Sequence, residues 1–129
     1  MAVGGNADMP HLPQAAPIDA YGDGGFRFAG MSHRGSLLCF PDGIWAWPVQ
    51  DADHLTESAL TAAFDRAQTL DFFLIGAGRD PWILPEDLRK RFRDVALSVD
   101  AMPTGAAVRT YNILLAENRR VGAGLIAVA

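Results

Sequence analysis

The sequence predicts an α/β fold with a mixed sheet, in which N-terminal antiparallel strands join a C-terminal parallel βαβαβ unit and helices pack on the sheet. Three observations support this. Residues 72–75 form a continuous apolar run ended by Gly76, as in an interior parallel strand covered on both faces. Residues 98–128 have the pattern of strand, tight loop, helix and strand. Residues 35–48 contain two strand-like runs joined by Pro-Asp-Gly, which is typical of a hairpin.

The N-terminal part of the chain has the pattern of short strands joined by turns. Residues 18–21 are predicted as a first strand, and residues 26–28, an alternating Phe-Arg-Phe, as a second. The glycine-rich residues 22–25 form the turn between them. Residues 1–17 mix small residues and proline without periodicity. We therefore expect a flexible N-terminal arm, followed by a single α/β domain over residues 18–129.

The hairpin carries two large aromatic side chains. Its strands are predicted at residues 35–40 and 44–48, and Trp45 and Trp47 lie on one side of the pleat because side chains alternate along a strand. That face must cover something large, either a helix or a second subunit. A homodimer formed through the two tryptophans is thus one alternative.

Two helices are predicted before the last third of the chain. Thr56 is expected to cap the first, in which apolar residues recur at helical spacing from Leu60 to Ala67. Pro85 is expected at the first position of the second, followed by two acidic residues that favour the positive helix end. The spacings of Glu86 with Lys90 and of Asp87 with Arg91 predict ion pairs and a solvated basic face.

The last third of the chain completes the parallel unit. A strand is predicted at residues 96–99, a helix from about residue 105 to residue 117, and a strand at residues 121–128. Asn118 is expected to end the helix in the left-handed conformation. Because crossovers between parallel strands are right-handed, these segments should lie in one sheet with residues 72–75.

Composition restricts the class of protein. The chain has 129 residues, a formal net charge of −4 and one cysteine. A general nucleic-acid binder would be basic, so nucleic acid is not an expected partner. No stretch approaches the roughly 20 apolar residues of a membrane span, and the N-terminus lacks the pattern of a secretory signal. We expect a cytoplasmic protein, peripheral to the membrane only through its partners.

The sequence contains no complete catalytic or metal-binding motif. Cys39 lies in an apolar run and is expected to be a buried, inert thiol. The three histidines have no metal-ligand spacing, so no metal and no cofactor is predicted. Gly76 and Gly78 follow a strand, but Pro81 stands where a dinucleotide-binding loop needs its third glycine. No catalytic residues are assigned, and an enzyme is the less favoured class.

The strongest candidate site lies at the joint before the last helix. The carboxyl ends of parallel strands meet at one sheet edge, so residues 76–79 and 104–112 should form a shared crevice there. Thr104 is expected to cap the helix, and Arg109 needs an acidic neighbour or a bound anion because it opposes the helix dipole. Capping and core packing are the alternative explanation. The predicted crevice residues are Gly76, Gly78, Arg79, Thr104, Arg109 and Asn112.

Five motifs, in order, resemble a known family. They are residues 22–28, 34–38, 74–78, 103–112 and 117–126. Together they are similar to the small α/β domain family of mitochondrial complex I (NADH dehydrogenase) assembly factor three and its uncharacterised bacterial and archaeal relatives. The resemblance covers residues 18–128. It implies a mixed sheet and a chaperone-like role in assembling the NADH dehydrogenase, and it supplies no catalytic residues.

Two functional hypotheses follow. The first is a non-enzymatic interaction protein whose partners are respiratory-complex subunits or assembly factors. The second is a binder of a small anionic ligand, or an enzyme, that uses the crevice between residues 76–79 and 104–112. In the second hypothesis Arg109 holds the anionic group and Asn112 orients it.

Overall fold

The computed structural model describes residues 9–129, whose strands form two sheets. The small sheet is antiparallel throughout and has three strands, β1 (Ala20–Gly22), β2 (Gly25–Phe28) and β3 (Met31–Arg34). The large sheet has five strands, β4 (Ser36–Phe40), β5 (Gly43–Trp47), β6 (Phe72–Gly76), β7 (Val99–Met102) and β8 (Val121–Leu125). The helices are α1 (Thr61–Asp65), α2 (Glu86–Asp94) and α3 (Thr104–Ala116), with short 3-10 turns at Ala52–His54, Ser58–Leu60 and Ala67–Thr69.

The large sheet is mixed, as predicted. Its strand order is β5–β4–β8–β6–β7. The hairpin strands β4 and β5 are antiparallel, β4 is antiparallel to β8, and β8, β6 and β7 are parallel. The chain thus forms a β6–α2–β7–α3–β8 unit, joined to the N-terminal hairpin through β4. The predicted fold class is confirmed.

The two helices of the parallel unit pack on opposite faces of the large sheet. From β6 to β7 the chain moves outward, and from β7 to β8 it moves back past β6. Two right-handed crossovers in opposite directions put their helices on opposite faces. Accordingly Leu88 and Phe92 of α2 belong to one buried cluster. Val108 and Tyr111 of α3 belong to the other, together with Phe26 and Phe28 of the small sheet.

Strand β7 begins three residues later than predicted, because α2 ends in a left-handed turn. Ala96 has a φ of 56°. Its N–H donates to the carbonyl of Arg93, and the N–H of Leu97 donates to the carbonyl of Phe92. This is a Schellman ending, for which glycine is the usual residue, so the alanine gave no signal of it. Asn118 ends α3 in the same way, with a φ of 61°, as predicted.

The helix predicted after Thr56 is broken into short pieces. The Thr56 hydroxyl accepts a hydrogen bond from the N–H of Ala59 at 3.3 Å, so Thr56 does start the turn. The α-helical part, however, covers only Thr61–Asp65, between two 3-10 turns. Pro85 holds the cap position of α2 and not its first helical position. Strand β3 was not predicted at all.

The aromatic face of the hairpin is covered by the chain itself. Trp47 is buried, and its indole N–H donates to the carbonyl of Ala59 at 2.9 Å. Trp45 is half-buried against the same cluster, with the Arg66 guanidinium 4.9 Å from its ring centroid. The helical segment after residue 56 therefore covers this face. Trp47 leaves no surface for a homodimer built on it.

The described part of the predicted arm, residues 9–17, contacts the domain. The N–H of Ile44 donates to the carbonyl of Leu12 at 2.9 Å, which forms an isolated β-bridge with β5. The Tyr111 hydroxyl donates to the carbonyl of Ala16 at 3.1 Å. Residues 1–8 lie outside the described residues, so the expected flexible arm and its boundary stay predictions.

Cys39 lies in β4, an interior strand of the large sheet, and is fully buried, as predicted. Burial raises the pKa of its thiol to about 12, because a thiolate would lose its hydration there. Among residues 9–129, no helix combines the length and the apolar character that a membrane span requires.

Gly124 in β8 allows Trp47 to pack flat on the sheet. A Cβ at this position would lie 2.7–2.8 Å from the Trp47 ring, and the ring is held by its bond to Ala59. We expect Gly124→Ala to lower the free energy of unfolding by about 1–3 kcal/mol, through overpacking. Urea denaturation measures the change. In a Trp47→Phe background, whose smaller ring leaves room for the methyl group, the same substitution should cost clearly less. Equal costs in both backgrounds would contradict the steric explanation.

Candidate functional site

The loops that follow β6 and β7 meet at one edge of the large sheet and hydrogen-bond to each other. The N–H of Thr104 donates to the carbonyl of Gly78 at 2.8 Å. The N–H of Gly78 donates to the Thr104 hydroxyl at 2.9 Å. The chain leaves β6 toward one face of the sheet and leaves β7 toward the other face. In α/β sheets, crevices form between two neighbouring strands of this kind. Here the base of that crevice is closed by direct loop-to-loop bonds.

Thr104 binds three segments together and does not cap α3. It is the first residue of the helix, and the cap position belongs to Pro103, which makes no side-chain cap bond. The Thr104 side chain is fully buried, and its hydroxyl donates to the carbonyl of Ile126 at 2.7 Å while accepting from Gly78. The expected capping role was therefore wrong. The hydroxyl instead satisfies two backbone groups that would otherwise be buried without partners.

Gly76 is a packing residue and does not line an open cleft. A Cβ there would lie 3.1–3.2 Å from atoms of Leu125, Ala107 and Thr104. The N–H of Ile126 donates to the Gly76 carbonyl at 2.9 Å. The missing side chain thus lets α3 approach the end of β6 closely.

Asn112 is occupied by the N-terminal segment. Its amide oxygen accepts from the N–H of Ile18 at 2.9 Å, and its amide nitrogen donates to the carbonyl of Ile18 at 2.8 Å. This pair of bonds mimics a strand partner and fixes the chain just before β1. Asn112 is not among the residues that line the cleft beside Arg109.

A cleft does lie above the closed base, and three of the six predicted residues line it. Its volume is about 450 Å³, and Gly78, Arg79 and Arg109 contribute to its walls together with Tyr21 and Gly105. The Arg79 guanidinium donates to a main-chain oxygen of Ala129, the last residue of the sequence, at 3.0 Å. Arg109 is exposed and, within residues 9–129, makes no hydrogen bond or ion pair. Of the two kinds of compensation expected for it, no acidic side chain pairs with it within residues 9–129, so the Arg109 guanidinium has no direct partner there.

Two histidines that are distant in sequence lie together. The ring centroids of His11 and His33 are 4.8 Å apart. Partial burial, and secondarily the charge of His11, hold the pKa of His33 below its usual value. In the described part of the chain, no group of three or more histidine, cysteine, aspartate or glutamate side chains is placed to share a metal ion. Because the two histidines lie far apart in the sequence, no local pattern predicts that they are in contact.

Three of the four basic residues of α2 are paired, but not as predicted. Arg93 donates to Glu86 at 2.6 Å, and Arg91 donates to Glu57 at 2.8 Å. Lys90 lies 3.1 Å from Asp94. The expected pairs of Glu86 with Lys90 and Asp87 with Arg91 do not form, because each of Glu86, Lys90 and Arg91 has a different partner. The interpretation as a solvated face holds, since these groups are exposed.

Comparison with known sequences identifies relatives of nearly the whole domain. Residues 18–126 match the sequence profile of a family described as protein of unknown function (DUF498/DUF598). An uncharacterized protein of Rhodobacter capsulatus is 38% identical over 117 residues, which cover 91% of this chain and 89% of that protein. NADH dehydrogenase [ubiquinone] 1 alpha subcomplex assembly factor 3 of Drosophila melanogaster is 28% identical over 84% of this chain. The match covers 57% of the assembly factor's own length.

Solved structures share the fold. A crystal structure described as an outer membrane protein of Bartonella henselae has a TM-score of 0.88 and 47% identity, and the match covers 92% of this chain and 100% of that one. The solution structure of a Rhodopseudomonas palustris protein has a TM-score of 0.81 and 48% identity, with 95% and 90% of the two chains covered.

The Thr104 hydroxyl can be tested by removing it without changing the shape of the side chain. Thr104→Val leaves the Gly78 N–H and the Ile126 carbonyl without their buried partner, so we expect a loss of about 2–4 kcal/mol in the free energy of unfolding. Thr104→Ser keeps the hydroxyl and should cost about 1 kcal/mol, through the lost methyl group. Urea unfolding compares the two. A valine variant as stable as the serine variant would show that the bridge contributes little.

Proposed function

The chain belongs to the family described as protein of unknown function (DUF498/DUF598), and it is also similar to complex I assembly factors. We propose that it is a non-enzymatic interaction protein that assists assembly of respiratory NADH dehydrogenase. The observation that carries the proposal is the similarity to the assembly factors of Drosophila melanogaster and Xenopus tropicalis over 84% of this chain. This chain spans 57% and 60% of their lengths, so the proposal concerns the shared α/β domain.

The outer surface of α3 supports a role in protein binding. Ile113 is 58% exposed, and Leu114 and Leu115 are partly exposed beside it. A helix that packs one face on a sheet normally turns polar residues to water. The exposed Ile113 side chain departs from this pattern and gives a partner an apolar contact, whereas Leu114 and Leu115 pack partly against the core. In this proposal the protein acts in the cytoplasm and reaches the membrane only through its partners.

A purification experiment tests the assembly role. The full chain, tagged at its own chromosomal locus, is expected to recover NADH dehydrogenase subunits or their assembly partners, identified by mass spectrometry against an untagged strain. Ile113→Asp places a charge on the apolar surface without touching the core and should reduce that recovery. Gln68→Asp, an equal charge change at an exposed position elsewhere, should not. If no such subunits are recovered, and deletion leaves NADH oxidation by membranes unchanged, the proposal is wrong.

The cleft beside Arg109 favours a second candidate, a binder of a small anionic ligand. Arg79 and Arg109 line it together, and Arg109 has no partner within residues 9–129. An anion bound between them would supply the missing counter-charge. Asn112 has no part in this version of the hypothesis, because both of its polar groups bind Ile18.

Thermal unfolding with defined anions tests the second candidate. Inorganic phosphate, pyrophosphate and citrate are added to the full chain at rising concentration. A ligand at one hundred times its Kd stabilises the native state by about 2.7 kcal/mol, which is several degrees in Tm. Arg109→Ala should abolish the shift, whereas Arg27→Ala, on the small sheet, should leave it intact. A shift that survives Arg109→Ala, or no shift with any of the three anions, rejects this site.

A further inference from the structure

Strand β7 is an open edge of the large sheet. Its one neighbour among the described strands is β6. The carbonyls of Ser98 and Met102 accept hydrogen bonds from the strand side of β6, at 2.9 and 2.8 Å. In a parallel pair, alternate residues face the partner strand. Val99 and Ala101 therefore turn their N–H and carbonyl groups outward, and no backbone group in residues 9–129 pairs with them.

The groove on the α3 side of this edge is largely apolar. It has a volume of about 350 Å³. Phe72, Leu74, Met102 and Leu114 line most of it. Two charged groups also line it, the Asp100 carboxylate of β7 and the Arg119 guanidinium, which lies 3.6 Å from Asp71. Side chains of an added strand that point to this face would meet mainly apolar surface, with one negative and one positive group beside it. That environment favours apolar residues, because a charged side chain would lose hydration against the apolar wall.

The groove on the α2 side has the opposite character. It has a volume of about 650 Å³, and Arg89 and Arg93 stand beside Val99 there. Arg93 is paired with Glu86. Arg89 makes no hydrogen bond or ion pair within residues 9–129, and its charge acts on the same Glu86 carboxylate. Two arginines and one glutamate therefore leave a net positive charge beside the groove. Side chains of an added strand that point to this face would meet a net positive field, which favours acidic residues.

We propose that β7 is a docking edge for an extended segment of a partner protein in which acidic residues, facing Arg89 and Arg93, alternate with apolar residues, facing the groove beside α3. The backbone of that segment pairs with Val99 and Ala101, and its side chains alternate between the two grooves because the period of a strand is two. This inference rests on the interaction role proposed above and names the kind of partner segment.

A second copy of the chain fits this edge poorly. If two β7 strands paired antiparallel, the two sheets would join into one continuous sheet. The α3 sides of both copies would then lie on the same face of that sheet. The partner copy would then point its Asp100 and Met102 toward the α3 side, where Asp100 already lies. Its Val99 and Ala101 would point toward the arginines. Self-pairing would thus bring a carboxylate to the apolar groove and apolar side chains to the arginines, which is the reverse of what the two grooves favour.

The test uses two synthetic peptides and the full chain. One peptide alternates glutamate and valine over six residues, and the other has lysine in place of glutamate. Each is titrated into nitrogen-15-labelled protein while amide chemical shifts and hydrogen exchange are followed. The glutamate peptide is expected to bind more tightly, to shift the amides of residues 97–102 and to slow exchange at Val99 and Ala101. Equal binding of the two peptides, or shifts confined to other surfaces, overturns the proposal.

Variants locate the binding. Arg89→Glu should weaken the glutamate peptide by about fivefold or more and strengthen the lysine peptide, since it reverses one exposed charge contact. Arg27→Glu, the same charge change on the small sheet, should alter neither. Ala101→Pro removes an outward N–H without removing a bond to β6 and should abolish binding; if that variant does not fold, the Arg89 charge reversal decides the test. Unchanged peptide preference in Arg89→Glu rejects the proposal, as does sedimentation that shows a dimer disrupted by the same substitution.

The outcome separates this inference from the assembly role. One outcome is that the two peptides bind equally, or only at other surfaces, while NADH dehydrogenase subunits are still recovered with the tagged chain. In that case the proposal that β7 is a docking edge is wrong and the assembly role stands. If the glutamate peptide binds at β7 but no such subunits are recovered, the edge stands and the assembly role is wrong.

Discussion

Strand β6 sets the arrangement of the molecule, because it is buried on both faces and has a parallel strand on each side. Phe73, Leu74 and Ile75 are fully buried, and they alternate between the two core clusters. A strand of this kind requires a helix above and a helix below. The chain meets that requirement by leaving β6 in one direction and returning across it in the other. The crevice at the carboxyl ends and the open edge at β7 are both consequences of this path.

The polar side chains at the start of α3 mostly hold the fold together. Thr104 connects the loop after β6 with the segment after β8, and Asn112 fixes Ile18 through both of its polar groups. Tyr111 is buried and donates to Ala16. A buried polar group needs an internal partner, so such residues mark long-range connections as readily as binding sites. Arg109 differs from them, because it points to solvent and is unpaired within the described residues.

Much of the fold could be predicted from local patterns. The apolar run at β6 and the Pro-Asp-Gly turn after β4 each have one good structural interpretation, and the parallel unit follows from the rule of right-handed crossovers. Strand β3 escaped prediction because none of its side chains is fully buried and Met31 is its one strongly apolar residue. The start of β7 was misplaced because Ala96 takes a left-handed conformation that alanine rarely adopts.

The site was predictable in position but not in detail. Topology alone brings the loop of Gly78 and the start of α3 to one sheet edge, and they do meet. The roles of Thr104 and Asn112 depend on Ile126 and Ile18, which are 22 and 94 residues away in sequence. No local pattern reports such partners. Sequence reasoning therefore finds the crevice but not which of its residues are free to bind.

Because Cys39 is buried, the rate at which its thiol is alkylated measures how the structure around β4 opens. Thiols react with alkylating reagents as thiolates, and this one is both shielded and hard to ionise. Since the chain has a single cysteine, every alkylated molecule has exposed β4 at least once. When reclosing is fast relative to the reagent, the rate of alkylation reports the population of open molecules; when it is slow, it reports the opening rate itself. The opening of β4, an interior strand of the large sheet, can thus be followed through the protein's own thiol, without a probe being introduced.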